Sequence, residues 1–163
     1  MSLVDKSKLT KLIVSIIICE VVGSVGAIFT APNIPTWYAT LTKPFFAPPN
    51  WVFAPVWTTL FFLMGVSLYL VWMKKDNKIM KQRKIALVLF GVQFAFNVLW
   101  SYLFFGLRNP FLGFIGIIIL WISIVSTIIY FYKVEKKSAY LLLPYIVWVS
   151  VASLLNYSIM LLN

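Results

Sequence analysis

Five long apolar runs divide the chain, roughly Leu12–Phe29, Trp51–Trp72, Ile85–Phe105, Phe111–Tyr132 and Ala139–Leu162. No other feature limits the possible folds so strongly. A helix needs about 20 predominantly apolar residues to cross the hydrocarbon of a bilayer. Within lipid every backbone N–H and C=O must be paired inside the protein, so such runs become helices. The expected fold class is an all-α membrane protein. It is one domain, residues 1–163, built as a bundle of five transmembrane helices, with a Pro/aromatic-rich loop between the first and second. The connections at Met73–Lys84, Gly106–Pro110 and Lys133–Ser138 are short, so sequential neighbours should pack antiparallel. The first run carries Glu20 and is the weakest. No small-residue cleavage site follows it, so the reading is a retained span rather than a signal peptide.

The charges then orient the bundle. Of the 14 Lys and Arg residues, all but Lys43 and Arg108 lie in the N-terminal arm, the second loop or the fourth loop. With five spans these three segments share one side. The positive-inside rule puts that side, and the N-terminus, in the cytoplasm; the C-terminus and the proline-rich loop fall outside. The basic residues come in short runs between apolar blocks, which favours membrane orientation over nucleic-acid binding despite a net charge of +10. The Lys74–Lys84 cluster is expected to contact anionic lipid.

Other chemistry is thinly supplied. The chain has no histidine and one cysteine, Cys19. A disulfide within the chain, a cysteine metal site and histidine acid–base or haem chemistry are all excluded, and no cofactor is expected to be required. Glu20 is the one acid inside a span. An ionisable group at that depth is a candidate functional residue, against the plainer reading of a partnered residue of structural effect only. Gly91 and Ala95 form a small-xxx-small pair that permits close helix contact and a homodimer.

Six of the eight prolines fall between Pro32 and Pro55. The same segment holds Trp37, Tyr38, Phe45, Phe46 and Trp51, with Lys43 its only charge. Proline fixes φ and lowers the entropy of the free chain, so this loop should be rigid, a lid or cavity wall more than a tether. Pro35–Lys43 reads as a helical turn begun by Pro35 and stopped before Pro44. Asn50 can cap the second span, and Pro55 is tolerable so near its start. An interfacial aromatic belt accounts for Trp72 and Trp121, but not for the prolines around Trp37 and Trp51.

Two stripes point inward. In the third run Gln93, Asn97, Trp100 and Phe104 share one helix face. In the fifth, Pro144, Trp148, Ala152, Leu155 and Asn156 do the same. Amides are costly against lipid, so both stripes should face the interior. Either they are polar glue between helices, or they wall an apolar pocket with few hydrogen-bonding groups, suited to a flat hydrophobic ligand.

The stretches WYATLTKPFFAPPNWVFAPVWTTLF (37–61), QFAFNVLWSYLFFGLRNP (93–110) and LLLPYIVWVSVASLLNY (141–157) resemble the translocator protein / tryptophan-rich sensory protein family, TspO/MBR. The resemblance covers nearly the whole chain. It implies a five-helix membrane bundle, often dimeric, with a ligand cavity opening towards the first loop. It also implies a receptor for porphyrins such as protoporphyrin IX and for isoquinoline carboxamide and benzodiazepine-type drugs. Some bacterial members are said to promote light- and oxygen-dependent porphyrin breakdown, which would fall to Trp51 and Trp148 by motif match. Cavity positions of the family map onto Ala27, Thr30, Pro44, Phe46, Ala54, Trp57, Asn97, Trp100, Ala152 and Leu155. Trp37, Tyr38 and Gln93 join them from the lid and the third-run stripe.

The chain departs from the family pattern at Val98, Leu112 and Phe46, where tryptophan is common. The animal cholesterol motif needs a Lys or Arg soon after Tyr157, and none follows. A photo-oxidative enzyme and a tetrapyrrole transporter are the alternatives to a receptor. No internal repeat suggests two transporter halves.

Overall fold

The computed structural model describes residues 3–163, and side chains from Lys6 onward. Its long helices are α1 (Leu3–Thr30), α3 (Phe53–Met73), α4 (Met80–Ser101), α5 (Pro110–Val134) and α7 (Leu143–Leu162). The single turn α2 (Trp37–Thr40) lies in the first loop, and the short α6 (Lys136–Leu141) leads into α7. Among the described residues five helical segments are long and apolar enough to span a membrane, α6 and α7 together forming the fifth. No strand occurs among the described residues.

Around the bundle, α1 packs on α3 and on α4, α4 on α5, α5 on α6 and α7, and α6 on α3. At Gly65 the backbones of α1 and α3 come close together. A Cβ added at Gly65 would lie 2.6 Å from the Ile16 Cα, so only glycine admits this approach.

The helix ends follow local chemistry. Asn109 caps α5, its side chain accepting from the Leu112 N–H at 3.0 Å, and Pro110 follows in the first turn, where its missing N–H costs nothing. Before that cap, α4 widens into one π-helical turn over Tyr102–Gly106, closed by Leu107 N–H donating to the Tyr102 carbonyl at 2.8 Å. Arg108 then takes a positive φ of 51° to reverse the chain. Glu135 caps α6 through the Lys137 N–H at 3.3 Å. Arg83 caps the end of α3, donating to the Val71 and Trp72 carbonyls at 3.3 and 2.9 Å.

Two segments outside the first loop hold it, and Tyr38 folds it on itself. Arg108 Nε donates to Asn33 Oδ1 at 3.1 Å. The Asn163 side chain pairs with both the N–H and the carbonyl of Thr42. Tyr38 is buried, and its N–H donates to the Asn33 carbonyl at 2.8 Å. The turn expected between Pro35 and Pro44 is α2. Asn50 does not cap the second span. It opens a 3₁₀ turn, Asn50–Val52, that runs directly into α3, and no side-chain hydrogen bond caps either. The backbone of Pro49, whose carbonyl accepts from the Val52 N–H at 3.0 Å, makes that entry instead.

Candidate functional site

A cavity of about 220 Å³ lies beneath the pinned loop, between α1, α3 and α4. On α1 its wall is Glu20, Gly23, Ala27 and Thr30, spaced 3, 4 and 3, one stripe of a helix. Small residues on this stripe leave the space. Gly23 faces the Phe61 ring so closely that a Cβ there would meet it at 2.4 Å. Opposite stand Phe53, Ala54, Trp57 and Phe61 of α3, and Asn97, Trp100 and Ser101 of α4.

The aromatic side is a continuous stack. Trp57 lies against Phe61 with ring centroids 5.5 Å apart, and against Trp100 at 6.2 Å. Trp100 stacks on Phe104 at 6.0 Å, and Phe104 meets the lid residue Trp37 edge-on at 5.4 Å. Such offset and edge contacts suit the ring quadrupoles and fix the walls in place.

Behind the stack runs a chain of buried polar side chains. Asn97 Nδ2 donates to the Tyr145 hydroxyl at 3.0 Å, and that hydroxyl donates to Gln93 Oε1 at 2.9 Å. Gln93 Nε2 points to Met64 Sδ at 4.0 Å. Trp100 Nε1 donates to Asn156 Oδ1 at 3.3 Å, and Asn156 Nδ2 donates to the Pro110 carbonyl. Since its amide nitrogen is held by Tyr145, Asn97 has its carbonyl oxygen to offer a ligand. Glu20, Thr30, Thr58 and Ser101 supply the other polar groups of an otherwise apolar wall. Among the described residues no three His, Cys, Asp or Glu side chains come together to hold a metal.

The structure gathers six of the expected ligand residues at this cavity: Ala27, Thr30, Ala54, Trp57, Asn97 and Trp100. The others stand elsewhere. Gln93 is buried one turn behind Asn97, and Ala152 and Leu155 are core residues. Trp37 and Tyr38 form the underside of the lid against Phe104 and Phe105. Pro44 is half-buried in the loop, and Phe46 is exposed beside Phe45. Trp51 is 74% exposed, on the outer rim. Trp148 lies behind Phe53, its ring centroid 6.0 Å away. Phe53 also meets Tyr38 at 6.0 Å, so this cavity-lining ring touches both. The Tyr38 hydroxyl and Trp148 Nε1 are buried without a hydrogen-bond partner. Burial pushes the Tyr38 hydroxyl up to about 12.

Two expectations change in detail. The fifth-span stripe does not line this cavity: Trp148 meets Phe53 of α3, Asn156 accepts from Trp100 of α4, and Pro144 is exposed. The facing wall is α1, including Glu20, Gly23 and Ser24. The Glu20–Gly23–Ala27–Thr30 spacing carried that signal, as legible as the stripe on the third run. Trp121, read as a belt residue, is partly exposed and tied by Nε1 to Ser150 Oγ at 2.9 Å.

Comparison with known proteins agrees with this architecture. The model of the TspO/MBR family matches residues 15–162. A tryptophan-rich protein TspO from Archaeoglobus fulgidus is 46% identical over 153 residues, covering 94% of this chain and 97% of its own. One from Chlorobaculum tepidum is 42% identical, covering 90% and 91%. The translocator protein of Bos taurus is 35% identical, covering 83% and 79%.

Proposed function

The chain belongs to the TspO/MBR family, and from that premise we propose that it is a membrane receptor for porphyrins, protoporphyrin IX or a related tetrapyrrole, and for isoquinoline and benzodiazepine-type ligands. The observation that carries this reading is the Trp57–Trp100–Phe61 wall, with Asn97 one turn from Trp100 on the same face of α4, set against the α1 stripe across an apolar space. Flat aromatic ligands bind by stacking on such walls, with few polar groups to fix their orientation. The names of two relatives, a tryptophan-rich sensory protein of Cereibacter sphaeroides and the bovine translocator protein, are compatible with it.

Ligand pockets usually run to about 300–1,000 Å³, so a tetrapyrrole needs more room than about 220 Å³. Rotation of Phe53 supplies it. That movement joins the cavity to the space beside Tyr38 and Trp148, whose unpartnered hydroxyl and indole N–H then meet the ligand. In this way Trp148 and the lid enter the ligand site together with the six residues already there.

The protein sits in a bacterial plasma membrane with its N-terminus cytoplasmic and its C-terminus outside, following the basic residues. The cavity then opens to the outer side. A membrane-impermeant thiol reagent applied to intact cells should label Lys43→Cys and spare Lys78→Cys; the reverse pattern inverts the orientation. A homodimer through the exposed Gly91 and Ala95 face of α4 completes the reading.

The photo-oxidative reading assigns the chemistry to Trp51 and Trp148. Trp51, exposed and outside the cavity lining, favours the receptor instead. The two readings part on illumination in air of porphyrin-loaded wild type and of the Trp51→Phe, Trp148→Phe double variant. A receptor bleaches its porphyrin alike in both. A distinct product from the wild type alone makes the protein an enzyme and these tryptophans its agents.

A further inference from the structure

At the other end of α1 and α3 lies a second recess, of about 490 Å³. Lys8 of α1, Lys74 at the end of α3 and Lys137 of α6 bring three ammonium groups to it. Leu70 lies one turn before Lys74 on the same stripe of α3, and Met73 and Tyr69 extend the apolar wall. Among the described residues Glu135 is the only acid lining the recess, and both its oxygens are engaged: Oε2 lies 2.5 Å from Lys74 Nζ, and Oε1 accepts the Lys137 N–H. Lys74 is thus neutralised by Glu135. Lys8 and Lys137 have no ion-pair partner among the described residues. The recess brings the Lys8 and Lys137 ammonium groups above an apolar floor, between helices, at the end of the bundle where the basic residues gather.

We propose that this recess is a specific site for the headgroup phosphate of an anionic phospholipid. Lys8 and Lys137 contact the phosphate oxygens, and the lipid's glycerol and upper acyl carbons lie on Tyr69, Leu70 and Met73. The Lys74–Glu135 pair holds α3 and α6 at the spacing that shapes the site. An ammonium is a flexible point charge, suited to a phosphate presented at variable depth. A basic mouth on an apolar floor matches an amphipathic anion better than a soluble one, and this selects the lipid over free phosphate. The site is independent of the aromatic cavity, so it stands or falls apart from the ligand reading above.

The test is lipid retention by the full chain in neutral detergent, read by native mass spectrometry. Phosphatidylglycerol, phosphatidylcholine of the same chains, and inorganic phosphate are titrated separately. Phosphatidylglycerol should bind one per chain ahead of phosphatidylcholine. Lys8→Gln and Lys137→Gln should each weaken it about fivefold, the effect of one lysine near a charged lipid surface. Lys75→Gln and Lys78→Gln, at the same end but outside the recess, should change it less than about twofold by the same measure. Equal losses in all four variants would mean diffuse attraction with no site. Absence of a preference for phosphatidylglycerol, or its displacement by inorganic phosphate at matching concentration, would also overturn the proposal.

Discussion

Asn97 and Tyr145 are joined by a buried hydrogen bond of 3.0 Å that ties a cavity wall on α4 to the interior of α7. The same hydroxyl donates to Gln93 at 2.9 Å. Tyr145→Phe keeps the ring and removes both bonds, leaving an amide N–H and an amide oxygen unpaired in the bundle. The expected loss of stability is about 1–2 kcal/mol. Thermal unfolding in detergent measures it, and a double-mutant cycle with Asn97→Leu should show coupling of about 1 kcal/mol. Additive effects would mean that the pair does not act as a unit.

Gly65 and Gly91 make a matched comparison. A Cβ at Gly65 would meet the Ile16 backbone at 2.6 Å, and α1 cannot yield without moving the cavity wall it carries. Gly65→Ala should cost about 1–3 kcal/mol, as overpacking does. At Gly91 an added Cβ finds nothing within 4 Å. Gly91→Ala should leave the thermal midpoint of the monomer unchanged, and Gly91→Leu should shift a detergent-solubilised dimer to monomer. A dimer that survives Gly91→Leu rules out that face.

The fold was legible where lipid leaves the chain no choice. Apolar runs fix the five helices, and Pro35 and Pro44 bracket the turn at Trp37–Thr40. Spacing also put Gln93, Asn97 and Trp100 inside, and all three are buried. Periodicity says that a residue faces inward but not which neighbour it meets. Trp148, Ala152 and Leu155 face inward as read, but Trp148 meets the Phe53 ring of α3, and Ala152 and Leu155 are core residues outside the lining of the cavity. Glu20 stands out as the one acid in a span, but the wall it forms with Gly23 does not, for the converse reason: a small-residue stripe looks the same whether it admits a neighbouring helix or leaves a void. Only the position of Phe61 and Trp57 across from it decides, and that is tertiary information. Asn50 had the right chemistry for a cap but sits in a 3₁₀ entry that needs none.

The Lys74–Glu135 pair gives the stability a modest acid dependence. The Lys74 ammonium, hydrogen-bonded to Glu135, holds this carboxyl below its ordinary value. A group depressed in the folded state stabilises above its unfolded pKa, and that contribution is lost as pH falls through the folded value. The wild type should therefore lose its advantage over Lys74→Met below about pH 4.5. Lys74 is 44% exposed, so solvent screening limits the difference at pH 7 to about 1 kcal/mol or less. Thermal midpoints of the two proteins between pH 7 and pH 3.5 measure it; a constant gap would place the stabilisation elsewhere.

The central claim is that the aromatic cavity between α1, α3 and α4 takes the porphyrin. Its most direct test is a dark, anaerobic titration of the purified protein with protoporphyrin IX, followed by tryptophan fluorescence. Wild type is compared with Ala27→Phe and Ala54→Phe, which fill the cavity from opposite walls without removing any core contact. With thermal midpoints unchanged, both variants should bind roughly tenfold or more weakly, a loss of about 1.4 kcal/mol or more. Affinity equal to that of the wild type in both would contradict the account and move the ligand to the exposed rim at Phe45, Phe46 and Trp51.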